Sequence, residues 1–126
     1  MSNIYLTAFN NLVINFNDEL IITFPDENDF KVYKRGIEML NSANAKKICQ
    51  LFKNYSHFYR NNIINKDETF FLTTNYNDVL DSVDKKEGVE NIINKLKISW
   101  SELSATNKEK IWEYLNSLIK LSDMVN

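Results

Sequence analysis

The amino-acid sequence predicts an all-α protein, a compact bundle of about five to six helices. The chain of 126 residues contains only two glycines and one proline, so the residues that tight β-hairpins require are scarce. Apolar residues recur at steps of three and four through most of the chain, which is the spacing of one helix face. A hydrophobic content of 44% with 25% charged residues is typical of a globular domain. We therefore expect one helical domain over residues 1–126.

The first half of the chain predicts three helices. Apolar spacing indicates a helix over residues 2–22. Phe24 and Pro25 should end it, because proline disfavours a helical residue before it, and the acidic residues that follow suit the start of a second helix. A third helix extends to about residue 65. It is either unbroken or split near Ser56 and His57, and we favour the break.

The second half predicts a connector, a polar segment and a helix pair. Residues 69–74 are expected to be extended or a single turn, buried through Phe70 and Phe71. Residues 75–88 are polar and predict a surface loop or short helix. Two apolar stripes then indicate a helix-turn-helix pair. Its second helix has two competing N-caps, Ser104 and Thr106, and Thr106 has capping-box spacing to Glu109.

Charge and cysteine content limit the environment of the chain. The formal net charge is −2, which gives no strong field of either sign. One cysteine cannot form an intramolecular disulfide, and no basic N-terminal region precedes a long apolar run. No stretch approaches the roughly 18 apolar residues of a membrane span. These features predict a cytoplasmic protein without a membrane segment.

The residues that usually carry catalysis or bind metals are few. His57 is the only histidine and Cys49 the only cysteine, whereas a structural zinc site needs about four such ligands. Gly36 and Gly88 stand alone, so no glycine-rich phosphate loop exists. We expect no catalytic site, metal or cofactor, and hence no enzyme. An enzyme would require carboxylates distant in sequence to meet in a pocket.

The main functional hypothesis is a helical module that binds another protein or itself. Trp112 lies one position from the apolar stripe of its helix and is predicted to be an exposed anchor, and the Phe24-Pro25 corner is a second candidate. The alternative is a nucleic-acid-associated protein, which requires a local basic patch. That patch would consist of Lys34, Arg35, Lys46, Lys47 and Lys53.

Several core and cap residues resemble a viral pattern. The residues concerned are Leu96-Lys97, Trp100, Leu103-Ser104, Asn107-Lys108, Ile111-Trp112 and Tyr114-Leu115, with Phe16, Leu20, Phe24-Pro25, Asp67-Glu68 and Phe70-Phe71. They are similar to short helical proteins of nucleocytoplasmic large DNA viruses, of the mimivirus and algal-virus kind. The resemblance covers most of the chain except residues 75–88. It implies expression in the cytoplasm of an infected host and packaging in the virion, and it transfers no functional residue.

Overall fold

The structure is a computed structural model that describes residues 4–72 and 89–125. In that part of the chain the backbone is almost entirely helical and contains no strand, so the predicted all-α class is confirmed. A 3-10 turn, Trp100–Glu102, joins the last two helices. The described residues form six helices, which are α1 (Ile4–Thr23), α2 (Asp29–Ala43), α3 (Lys47–Ile64), α4 (Thr69–Leu72), α5 (Val89–Ser99) and α6 (Ala105–Met124). The segment predicted as a surface loop or short helix, residues 75–88, lies outside the described residues.

The helices bury their apolar faces in one core. α1 packs against α2 and α6, α3 also packs against α6, and α5 packs against α3. Phe9, Val13 and Phe16 on α1 have no exposed surface, and they belong to a cluster that includes residues of every helix. Burial of these side chains is the main favourable contribution to folding.

The corner between α1 and α2 follows the sequence prediction. The Phe24 N–H still donates to the Leu20 carbonyl at 2.9 Å, and Pro25 lies just beyond the helix. The Asp29 N–H then donates to Glu27 Oε1 at 3.3 Å, which satisfies one of the unpaired donors at the start of α2. The predicted end of the first helix is therefore confirmed to within one residue.

Two buried asparagines fix the register of α1 against α2. Asn17 Nδ2 donates to the Phe30 carbonyl at 2.7 Å, near the start of α2. Asn10, seven residues earlier, donates from Nδ2 to Asn41 Oδ1 at 2.8 Å and to the Ala45 carbonyl at 2.9 Å, at the far end. Because a buried N–H donor without an acceptor costs free energy, a shifted register that separated these Nδ2 groups from their acceptors would be disfavoured.

The predicted break in α3 is wrong, because the helix is continuous through Ser56 and His57. Contacts with α6 hold both halves of α3 in line. The Lys53 ammonium donates to the Val125 carbonyl, and in the second half Asn116 Nδ2 donates to the Ile63 carbonyl at 3.0 Å. Tertiary packing thus stabilises a continuous helix, although local propensity did not decide whether it is broken in the middle.

The structure decides between the two conformations predicted for the connector and between the two N-caps predicted for α6. α4 is a single helical turn whose Phe70 and Phe71 are buried, as the single-turn alternative predicted. Ser104 is the N-cap of α6, with its Oγ accepting the Asn107 N–H at 3.1 Å. The capping box at Thr106 is therefore wrong, since Thr106 already lies in the first turn.

Candidate interaction site

The histidine and the cysteine lie apart from any assembled reactive group. Cys49 is buried in α3, and this burial raises the pKa of its thiol. His57 is exposed, and its ring contacts the Phe58 ring at 5.5 Å between centroids. Within residues 4–72 and 89–125, no three His, Cys, Asp or Glu side chains are grouped so that they could hold a metal ion. No helix in these ranges has the length and apolar content needed to cross a membrane.

The prediction that Trp112 is an exposed anchor is wrong, because only 3% of its surface is exposed. Its indole contacts Phe71 edge-on at 5.1 Å and Trp100 at 5.5 Å, and the rings of Phe71 and Trp100 stack at 3.9 Å. The physical reason is that α4 and the 3-10 turn cover this flank of α6 through Phe71 and Trp100. α6 therefore buries a flanking stripe as well as the main one, which packs against α1 and α3.

The Phe24-Pro25 corner is only partly available at the surface. The Phe24 ring is half-buried and stacks on Phe30 with centroids 5.6 Å apart. Pro25 is exposed. Phe24 therefore covers the core at the corner between α1 and α2. Pro25 is the residue of this pair that a partner could contact.

Two of the five cations proposed for nucleic-acid binding have partners within the chain. Lys34 Nζ lies 2.8 Å from Asp18 Oδ1 on α1, and this hydrogen bond raises the pKa of Lys34. Lys53 donates to the Val125 carbonyl at the end of α6. The other three are exposed or half-buried and comprise Arg35, Lys46 and Lys47. As a set, the five therefore do not form one unpaired basic surface.

A groove of about 340 Å³ lies between α1 and α6. Glu19, Lys110 and Glu113 line it, and the Tyr114 ring stacks on Phe16 at 5.0 Å. Burial, reinforced by nearby carboxylates, raises the pKa of Tyr114, so its hydroxyl remains a neutral hydrogen-bond donor. The groove can therefore accept polar groups, but its charges are mixed and select no particular ligand.

The outer face of α2 is the clearest exposed apolar feature, and we define it as Val32, Arg35, Gly36 and Met39. Val32 is 60% exposed and Met39 is 73% exposed, whereas Ile37 on the opposite face is buried. Positions seven residues apart differ by only about 20° around a helix, so Val32 and Met39 form one stripe. Arg35 and Gly36 lie between them and are exposed.

Gly36 has no function in the packing of its own chain. Apart from the local helix backbone, no atom lies within 4 Å of the position that a Cβ would occupy. Glycine in a helix interior costs roughly 0.5–1 kcal/mol relative to alanine. The fold thus accepts this destabilisation without an internal steric reason.

The outer face of α2 also has charged neighbours of both signs. Lys31 and Glu38 are exposed and lie seven residues apart, on the same flank of the helix. Neither Arg35 nor Glu38 forms an ion pair in the part of the chain that the structure describes. The face therefore combines an apolar stripe with exposed charges of both signs, of which Glu38 also interacts electrostatically with Lys34.

Sequence reasoning missed this face although a signal was present. Phe30, Tyr33, Ile37 and Leu40 form the apolar stripe of α2 that packs on the core, and Val32 and Met39 lie outside it. Val32, Gly36 and Met39 have the spacing i, i+4, i+7, which is itself a helix face. Their exposure was decided by the side of α2 that packs against α1.

Comparison of the chain with models of known protein families, with curated proteins and with solved structures finds no significant match. The class that the structure itself defines is a helical bundle with a second, exposed apolar stripe on α2.

Proposed function

We propose that this protein is a self-associating helical interaction module that binds a second copy through the outer face of α2. The observation that carries the proposal is the exposed stripe formed by Val32 and Met39 on a helix whose other face is already buried. Removing apolar surface from water contributes about 25 cal/mol per Å². Two large side chains in one line provide more continuous apolar surface than the single exposed apolar residues that every protein surface has.

Gly36 supports contact with another helix. An exposed glycine in the middle of a helix destabilises the isolated chain, whereas in a helix–helix contact it allows the two backbones to approach closely. Because no residue among 4–72 and 89–125 occupies the space beside Gly36, that space is open to a partner. A second protein surface is therefore a better match than a small molecule, which needs a concave site.

The charges favour a second copy over nucleic acid. Cations dominate the electrostatic attraction to a phosphate backbone and carboxylates oppose it, whereas this face places Arg35 next to Glu38. A surface that carries both signs can be complementary to itself. The sequence resemblance to viral proteins further supports the proposal that this assembly forms in the cytoplasm of an infected host cell and is packaged in the virion.

The proposal is tested by light scattering coupled to size-exclusion chromatography on the purified chain. We expect the wild type to form a discrete oligomer and Met39→Glu to dissociate it, because the new carboxylate would be buried without a partner. Phe58→Glu is the matched control, since Phe58 is 78% exposed but lies on α3. A wild type that stays monomeric, or a Met39→Glu variant that still associates, would overturn the proposal.

A further inference from the structure

We infer that the two copies pair through antiparallel α2 helices that cross next to Gly36, forming a closed two-fold dimer. This inference rests on the proposed function and adds the geometry of the partner. It follows from the spacing of the apolar residues, the charged flank and the glycine on the outer face of α2.

The apolar residues are arranged symmetrically about the centre of α2. In an antiparallel pair whose centre lies midway between Arg35 and Gly36, residues equally distant from the centre face each other. Val32 precedes this centre by as much as Met39 follows it. Val32 of each copy therefore meets Met39 of the other. One two-fold contact thus buries these two exposed side chains on both copies.

The charged flank distinguishes antiparallel from parallel pairing. A parallel two-fold pair would place the charged flanks of the two copies on opposite sides of the contact, so Lys31 of one copy could not pair with Glu38 of the other. In the antiparallel pair, Lys31 lies within about 3 Å along the helix axis of Glu38 of the second copy, at 1.5 Å per residue. Arg35 lies at a similar offset on the other side of that carboxylate. Opposite charges are thus adjacent only in the antiparallel arrangement.

The glycine lies where the two backbones come closest. Gly36 of each copy is about 1.5 Å along the axis from Gly36 of the other. Because its missing side chain leaves open space, the helices can approach more closely than side chains would otherwise allow. A two-fold contact uses the same face on both copies, so this face cannot recruit a third chain. The assembly through α2 therefore stops at a dimer.

Disulfide trapping tests this geometry in the full-length chain. Single variants Val32→Cys and Met39→Cys are oxidised mildly, each alone and as an equimolar mixture, with Asn54→Cys on α3 as the control for random collision. A disulfide requires Cα atoms about 4.4–6.8 Å apart. In the antiparallel dimer Val32 of one copy faces Met39 of the other, whereas the two Val32 positions are about 10 Å apart along the axis, as are the two Met39 positions. Cys49 is only 1% exposed and does not interfere.

We expect the mixture to join Val32→Cys to Met39→Cys faster than Asn54→Cys cross-links to itself, and each of the two variants alone to match that control. Cross-linking of Val32→Cys or Met39→Cys alone as fast as in the mixture would show a parallel pair and overturn the inference. Equal, slow cross-linking in the mixture, in each variant alone and in the control would also overturn it. In both cases a dimeric wild type in light scattering would leave the proposed function intact, whereas a monomeric wild type would overturn both.

Discussion

Replacing Gly36 by alanine is expected to stabilise the fold and weaken the dimer. The added Cβ has no atom within 4 Å apart from the local helix backbone, so it causes no steric clash within the chain. Alanine is more favourable than glycine in a helix interior by about 0.8–1 kcal/mol. For a domain of 126 residues, this corresponds to a rise in Tm of about 4 °C.

The effect on association has the opposite sign. At a close helix crossing, an extra methyl group on each copy forces the two backbones apart. Overpacking of a well-fitted contact costs roughly 1–3 kcal/mol. Since each 1.4 kcal/mol changes an equilibrium constant about tenfold, the dimer dissociation constant should rise by about one order of magnitude or more.

The two effects are measured separately. Urea denaturation at a protein concentration below the dissociation constant reports the stability of the monomer, and sedimentation equilibrium reports the association. Asn54→Ala is the control, because it raises helix propensity on α3 without altering the outer face of α2. If Gly36→Ala stabilises the monomer and leaves the dimer unchanged, the glycine does not lie at a close crossing. If it destabilises the monomer, the space beside Gly36 is not open.

Three further predictions concern the fold. Lys66 follows α3 with a φ of 53°, so Lys66→Gly should be more stable in urea than Lys66→Ala by about 1 kcal/mol, and equal stabilities would show that this backbone carries no strain. Trp112→Ala should cost about 3–5 kcal/mol of unfolding free energy, because the side chain is buried; a cost below about 1 kcal/mol would indicate a surface residue. Arg60 hydrogen-bonds to Asp123 and holds the pKa of that carboxylate below its usual range. The pair therefore stabilises the fold above about pH 4, and this contribution is lost as the pH falls through the lowered pKa. In NMR titrations, Arg60→Gln should raise the pKa of Asp123, and an unchanged pKa would contradict this cause.

The N-terminal half shows how far local patterns can be followed. The end of α1 at Phe24-Pro25 and the start of α2 at Asp29 were predicted because proline and acidic residues act over a single turn. The continuity of α3 was not predicted. It depends on Asn116 and other residues of α6 that lie about fifty positions away in the chain.

Trp112 and the outer face of α2 show that local sequence patterns do not predict which residues of a candidate site are exposed. Spacing identifies the residues that share a helix face, but it does not reveal how many neighbours the helix has. Phe71 on α4 and Trp100 in the 3-10 turn cover a flank of α6, so Trp112 became buried. α2 contacts α1, α3 and α5, yet none of these helices covers Val32 and Met39, which remained exposed.

The sequence by itself determined the helical class, most helix boundaries and the apolar stripes, because these depend on interactions between residues a few positions apart. Tertiary structure alone decided which stripes are covered, which cation pairs with which carboxylate, and that Gly36 borders open space. Burial depends on the assembled neighbours of each helix, and local spacing carries no information about their number or direction.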